Sequence, residues 1–168
     1  MNLDETIQRI KEIKQSDLDT LREHVYKAGC VYILGNGGSS SIASHMAEDY
    51  TKSLKQPAVT FSDAARLTCY ANDYGYDYAY KRWLKEFTPL VQNPFVILIS
   101  SSGNSENILN CAAWCEMQNI TFATLTGFSP ENKLTKRHGS AAVVDYHVNS
   151  MDYGVVECVH QVFLHGII

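Results

Sequence analysis

Ser100, Ser101, Ser102 and Ser105 follow the apolar run Val96 to Ile99 and precede a helical pattern that resumes at Glu106. A strand end feeding a helix start offers an anion unpaired backbone N–H groups and the positive end of the helix dipole. The serine hydroxyls add donors, Gly103 lets the backbone come close, and Asn104 is expected to tolerate a left-handed turn. This is the chemistry of a phosphate cradle that uses no lysine, although an ordinary helix cap draws on the same residue types. A second stretch, VYILGNGGSSSIA from Val31 to Ala43, repeats the order of apolar strand, Asn36-Gly37-Gly38 turn and helix. Two such loops in one small sheet can converge on one ligand. Neither stretch has the Gly-Lys-Ser/Thr of a nucleotide P-loop or the spaced glycines of a dinucleotide fingerprint, so nucleotide binding is disfavoured.

A second group of residues suits acid–base or metal chemistry. Beyond the first loop, His45 and Asp49 stand one helical turn apart, with Glu48 beside them but turned about 100° away. The segment VVECVHQVFLHGII carries Glu157, Gln161 and His165 at intervals of four, with His160 between them. Polar groups on so apolar a helix need partners or a wet cleft. His45, Asp49, Glu157 and His165 together are a ligand set of the kind that binds Zn²⁺. Eight residues of straight helix place Glu157 and His165 about 12 Å apart, so one ion reaches both only through a kink, leaning side chains or a second chain. Each histidine taken alone reads equally as a satisfied structural residue.

The elements that must position these residues are legible in the hydrophobic pattern. The 168 residues are 45% hydrophobic and 19% charged, an ordinary globular composition for one domain. A net charge of −4 with no Lys/Arg block argues against a nucleic-acid or anionic-membrane surface. No apolar run approaches the roughly 18–20 residues of a membrane span. The charged opening MNLDETIQRIKEIKQ does not read as a signal peptide, and a cytoplasmic protein is expected. Five cysteines without a Cys-x-x-Cys pair lie within apolar patterns and are expected as buried, reduced thiols.

Leu3, Ile7, Ile10, Ile13, Leu18 and Leu21 mark one or two amphipathic helices ahead of the first strand, with Asn2 and Glu5 as a capping box. Strands are expected at Cys30–Leu34, Ala58–Phe61, Phe95–Ile99, Ile120–Leu125 and Ala142–Val148. Helices are expected at Ser39–Ser53, near Ala64–Tyr70, near Asp77–Phe87, at Glu106–Gln118, after Pro130 and from Gly154. The alternation predicts a three-layer α/β/α sandwich around a mainly parallel five-stranded sheet, with ligands beyond the strands' carboxyl ends. The tyrosines at 74, 76, 78 and 80 could form a sugar-stacking row, but their alternation reads better as a turn followed by an aromatic helix face. The apolar ending at Ile168, without a polar closing turn, predicts a native chain that continues.

The segments GNGGSSSIASHMAED, ANDYGYD, ISSSGNSEN and ECVHQVFLH, in this order, resemble the sugar isomerase (SIS) domain proteins and, within them, the phosphoheptose isomerases. The resemblance implies a single SIS domain over residues 1–168 with flavodoxin-like topology. It implies a homotetramer with sites at subunit interfaces, in which the helical segment 1–28 takes part. The implied reaction converts sedoheptulose 7-phosphate into an aldose heptose phosphate through an enediol. Carried onto this chain, Ser100, Ser101, Ser102 and Ser105 would hold phosphate, and Asn36, Gly37, Gly38, Asn72 and Asp73 would line the sugar. Asp49 stands where the family has its glutamate base, Glu157 where it has a zinc-binding glutamine, and His165 matches the final histidine, an acid or metal ligand. An aspartate base is one methylene short, a displacement of about 1 Å that can cost roughly 100-fold in rate. A carboxylate at 157 adds negative charge that favours a cation nearby. Other readings are an isomerase of a different phosphosugar, or a regulatory SIS module of the kind that binds partners without catalysis.

Overall fold

The computed structural model describes residues 2–168. Eight α-helices and five strands follow one another as α1 (Leu3–Lys11), α2 (Gln15–Lys27), β1 (Cys30–Gly35), α3 (Gly38–Ser53), β2 (Ala58–Thr60), α4 (Ala64–Tyr74), α5 (Tyr76–Phe87), β3 (Pro94–Ser100), α6 (Glu106–Gln118), β4 (Thr121–Gly127), α7 (Lys133–His138), β5 (Val144–Val148) and α8 (Tyr153–His165). A single 3₁₀ turn, Thr88–Leu90, joins α5 to β3.

The strand order is β2-β1-β3-β4-β5 and every pairing is parallel. The expected mainly parallel sheet is therefore wholly parallel. Successive residues of β1 feed opposite cores: Val31 and Ile33 pack with α2, α3 and α8, whereas Tyr32 and Leu34 pack with α5 and α6. A strand buried on both faces explains the unbroken apolar runs in β1 and β3. In this strand order the chain's winding reverses between β1 and β3, and the crevice beyond their carboxyl ends is where such sheets hold ligands.

The leading helical segment forms two helices. Asn2 caps α1 through its side chain, which accepts from Glu5 N at 3.1 Å. Leu21 and Val25 of α2 are fully buried, and Ile10, Ile13 and Leu18 pack against the same core. Leu3 and Ile7, on α1, are left 64% and 44% exposed. The cysteine expectation needs correcting, since only Cys30, Cys111 and Cys115 are buried, while Cys69 and Cys158 are exposed; none of the five stands in a disulfide among the described residues. Cys69 belongs to α4, none of whose residues is buried, so its apolar neighbours in sequence do not enclose it. Among the described residues no helix is long and apolar enough to cross a membrane.

Candidate active site

The β1–α3 and β3–α6 loops meet at the winding reversal and enclose a pocket of about 220 Å³. Its walls come from Asn36, Gly37, Gly38 and Ser39 of the first loop and from Ile99, Ser100, Ser101, Ser102 and Ser105 of the second. Tyr153 and Glu157 of α8 close it. Helices α1, α4, α7 and α8 begin with side-chain caps, but α3 and α6, which start at this pocket, have none. The N–H groups of Gly38 and Ser39 in α3 and of Glu106 and Asn107 in α6 are thus left for a ligand, whereas Ser40 and Ile108 already donate within their own turns. Ser101 Oγ is buried without a hydrogen-bond partner, and Ser100 Oγ donates to Ser105 Oγ at 3.3 Å. A buried hydroxyl with no partner is costly in the free protein and becomes useful when an anion supplies the acceptor.

Two glycines in these loops have no tolerable replacement. Gly37, the N-cap of α3, has φ of 54°. Gly103 has φ of 62°, and a Cβ there would overlap the Asn132 side chain. The left-handed position of the second loop is thus Gly103, not Asn104. Asn104 braces the loop instead: its amide donates to Ser102 O at 2.9 Å and accepts from Lys133 N at 3.1 Å.

A second cluster lies further along α3 and α8. Asp49 Oδ2 is 3.2 Å from His45 Nε2 and 3.0 Å from His165 Nε2, and the two imidazole rings lie 5.3 Å apart. Gln161 flanks the group, its carbonyl 2.9 Å from His165 Nδ1. The ligand atoms of His45, Asp49 and His165 all fall within 4.8 Å of one another. Glu157 is not with them. It stands two turns earlier on α8, and its carboxylate lines the serine pocket opposite Gly38. The four candidate metal ligands are thus divided, three in the cluster and one in the pocket. Asn72 and Asp73 line neither place. They are exposed near the end of α4, where the Cys69 thiol donates to Asp73 at 3.6 Å and that carboxylate pushes the thiol's pKa up.

Ser39, Asn107 and Tyr153 are additions that the sequence does not single out, and Tyr76, noted there only as one of a tyrosine row, joins them. Asn36 and Asn107 pair through reciprocal amide bonds of 2.9 and 2.8 Å, and Tyr76 Oη donates to Asn36 Oδ1 at 2.8 Å. One turn later, Tyr80 Oη donates to Gly35 O at 2.9 Å. The tyrosine row is a turn followed by a helix face, as its spacing suggests: Tyr74 ends α4, Gly75 makes the turn with φ of 81°, and Tyr76 opens α5. Its second and fourth members reach back to the β1–α3 loop, a contact between distant segments that local spacing does not announce.

Residues 2–127 match the SIS domain family. The chain is 31% identical over 153 residues to the phosphoheptose isomerase of Pectobacterium atrosepticum, covering 88% of this chain and 75% of that protein. It is 32% identical over 126 residues to the phosphoheptose isomerase of Cytophaga hutchinsonii, a match covering 70% of this chain but just under two thirds, 65%, of that relative's length. The solved structure of a phosphoheptose isomerase from Francisella tularensis superposes with a TM-score of 0.85 at 20% identity, over 98% of this chain and 91% of that one, and so shares the fold. With the parallel sheet, the loop pair at its winding reversal and a family match over most of its length, this chain belongs to the SIS domain family.

Proposed function

We propose that the chain is a phosphosugar aldose–ketose isomerase that converts sedoheptulose 7-phosphate to D-glycero-D-manno-heptose 7-phosphate through an enediol. The observation that carries this reading is the pairing of an anion pocket with a carboxylate bonded to two imidazoles, both built on α3 and α8. The names of the Pectobacterium and Cytophaga relatives support the choice of substrate.

Ser100, Ser101, Ser102 and Ser105 hold the phosphate with hydroxyl and backbone donors, and Asn36, Gly37 and Gly38 line the sugar. Asp49 removes the proton on the carbon beside the carbonyl. His165, hydrogen-bonded to Asp49 through Nε2, moves protons between the two oxygens of the enediol. Two imidazoles and a carboxylate are a donor set that suits Zn²⁺, and His45, Asp49 and His165 would hold it. When bound, the ion would polarise the substrate carbonyl and stabilise negative charge on the enediolate. Glu157 is read as a substrate-side group. Asn72 and Asp73 reach a substrate in this reading only from a neighbouring subunit.

Within one chain the pocket and the cluster are separated by eight residues of α8, about 12 Å along its axis. We therefore read the working unit as a homotetramer in which one copy's cluster completes another's pocket. The exposed Leu3 and Ile7 of α1 give the N-terminal helices an apolar surface for that assembly. The absence of a disulfide among the five cysteines of the described residues supports reading the chain as a cytoplasmic enzyme.

An NMR time course with sedoheptulose 7-phosphate in D₂O, run with added Zn²⁺ and with chelator, tests the reading. Aldose product deuterated at C2 is expected, formed faster with Zn²⁺. Neither turnover nor exchange under both conditions would overturn it in favour of another phosphosugar or a non-catalytic binding module.

A further inference from the structure

The amide of Asn36 is held in one orientation, and a backbone N–H on α6 sets it. Ile108 N donates to Asn107 Oδ1 at 3.0 Å, and a backbone N–H can only donate, so that atom of Asn107 is its oxygen. Asn107 therefore presents its NH₂ to Asn36 at 2.8 Å, and the atom of Asn36 that receives it is Oδ1. The return bond, Asn36 Nδ2 to Asn107 Oδ1 at 2.9 Å, agrees. Tyr76 Oη meets the same Asn36 Oδ1 at 2.8 Å and must be the donor there.

Both lone pairs of Asn36 Oδ1 are now filled, and one of its two N–H groups is spent on Asn107. What Asn36 retains in the pocket wall is one N–H, which has no acceptor among the described residues. We propose that Tyr76 is a positioning residue for this pocket: it bolts down the orientation that Asn107 sets and fills the second lone pair of Asn36 Oδ1, so that Asn36 offers the ligand a hydrogen-bond donor and no acceptor. The subsite then selects an oxygen that can accept, such as a sugar hydroxyl lone pair or a carbonyl. The tyrosine comes to hand because Gly75 turns the chain between α4 and α5, and because Tyr80, one turn on, ties α5 to the Gly35 carbonyl of the same loop. That the ligand is a sugar phosphate rests on the reading in the previous section; the amide's orientation does not.

The test compares wild type, Tyr76→Phe, Asn36→Ala and the double variant by calorimetric titration with inorganic phosphate and with sedoheptulose 7-phosphate. Removing one hydrogen bond from the support of Asn36 should weaken the sugar phosphate about three- to tenfold and leave phosphate, held by the serines, within about twofold. In the Asn36→Ala background, Tyr76→Phe should change nothing further. Equal losses for both ligands, or an undiminished effect of Tyr76→Phe without Asn36, would show a merely structural tyrosine and overturn the proposal. If wild type binds sedoheptulose 7-phosphate no better than phosphate, the substrate reading fails. The positioning is then read from the Asn36 side-chain NH₂ resonances of the free protein. These should shift and exchange faster with solvent in Tyr76→Phe, and unchanged resonances would overturn it.

Discussion

Helix α8 carries two histidines five residues apart, and they have nothing in common but the side chain. His160 is fully buried. Its Nε2–H donates to Thr126 O at 2.9 Å, its Nδ1 has no partner, and burial lowers its pKa to about 4. His165 is exposed and bonded to a carboxylate and, through its other nitrogen, to the Gln161 carbonyl. Five residues turn a helix by about 140° from the starting face, enough to carry one ring into the core and the other to the Asp49 cluster. The first is locked in one neutral tautomer. The second faces solvent beside a carboxylate. Residue type nominates both; the face of the helix decides between structure and chemistry.

The comparison breaks if Asp49 or His165 proves to be structural. Replacing Asp49 with Asn keeps the shape and removes the base, so kcat should fall about 100- to 10,000-fold while the thermal midpoint stays near that of wild type. A steady-state assay paired with a melting curve reads both quantities. Loss of fold together with activity would put Asp49 in the same class as His160.

The buried end should show itself in stability. An unfolded chain protonates His160 near the ordinary 6.5, whereas the folded chain resists protonation until about 4. Its folded pKa is thus below its unfolded one, so the contribution is complete above about 6.5 and is lost as pH falls toward 4, up to about 3 kcal/mol in all. His147, also shifted down by burial, acts in the same direction. Denaturant midpoints measured across this window should fall with pH in wild type and fall less in His160→Gln. An unchanged slope would remove His160 from the explanation.

A smaller effect sharpens the contrast between pocket and cluster. Glu157 puts a carboxylate in the wall of a pocket built for an anion, so Glu157→Gln should bind inorganic phosphate about three- to tenfold more tightly at low salt, with the gain shrinking as salt is added. Weaker phosphate binding would mean instead that Glu157 acts through a cation it recruits.

Much of the fold could be read from residue order because each element follows from local rules: apolar strands, helices with visible caps, and glycine or asparagine turns between them. The strand order did not come from these local rules but from the family resemblance, whose flavodoxin-like topology agrees with β2-β1-β3-β4-β5. The sequence also marked the two ligand loops, whose Ser, Gly and Asn residues announce their own geometry. It did not reveal the division of Glu157 from His45, Asp49 and His165, because spacing on one helix says which face a residue shares and not what stands opposite along its length. Tyr76 and Asn107 were hidden for a related reason. Their partner, Asn36, is far away in sequence, and only the meeting of β1 with β3 at the centre of the sheet brings the three amide and phenol groups together. The exposure of Cys69 was equally out of reach, for α4 lies on the surface although its composition is that of a packed helix.

The bare backbone at Gly38 leaves the space that the Glu157 carboxylate fills, and a methyl group there would overlap it. The overlapping atoms are the flexible end of the Glu157 side chain, so Gly38→Ala is expected to leave the fold intact and to re-aim that carboxylate, changing the charge presented to a ligand in the pocket rather than the stability of the chain.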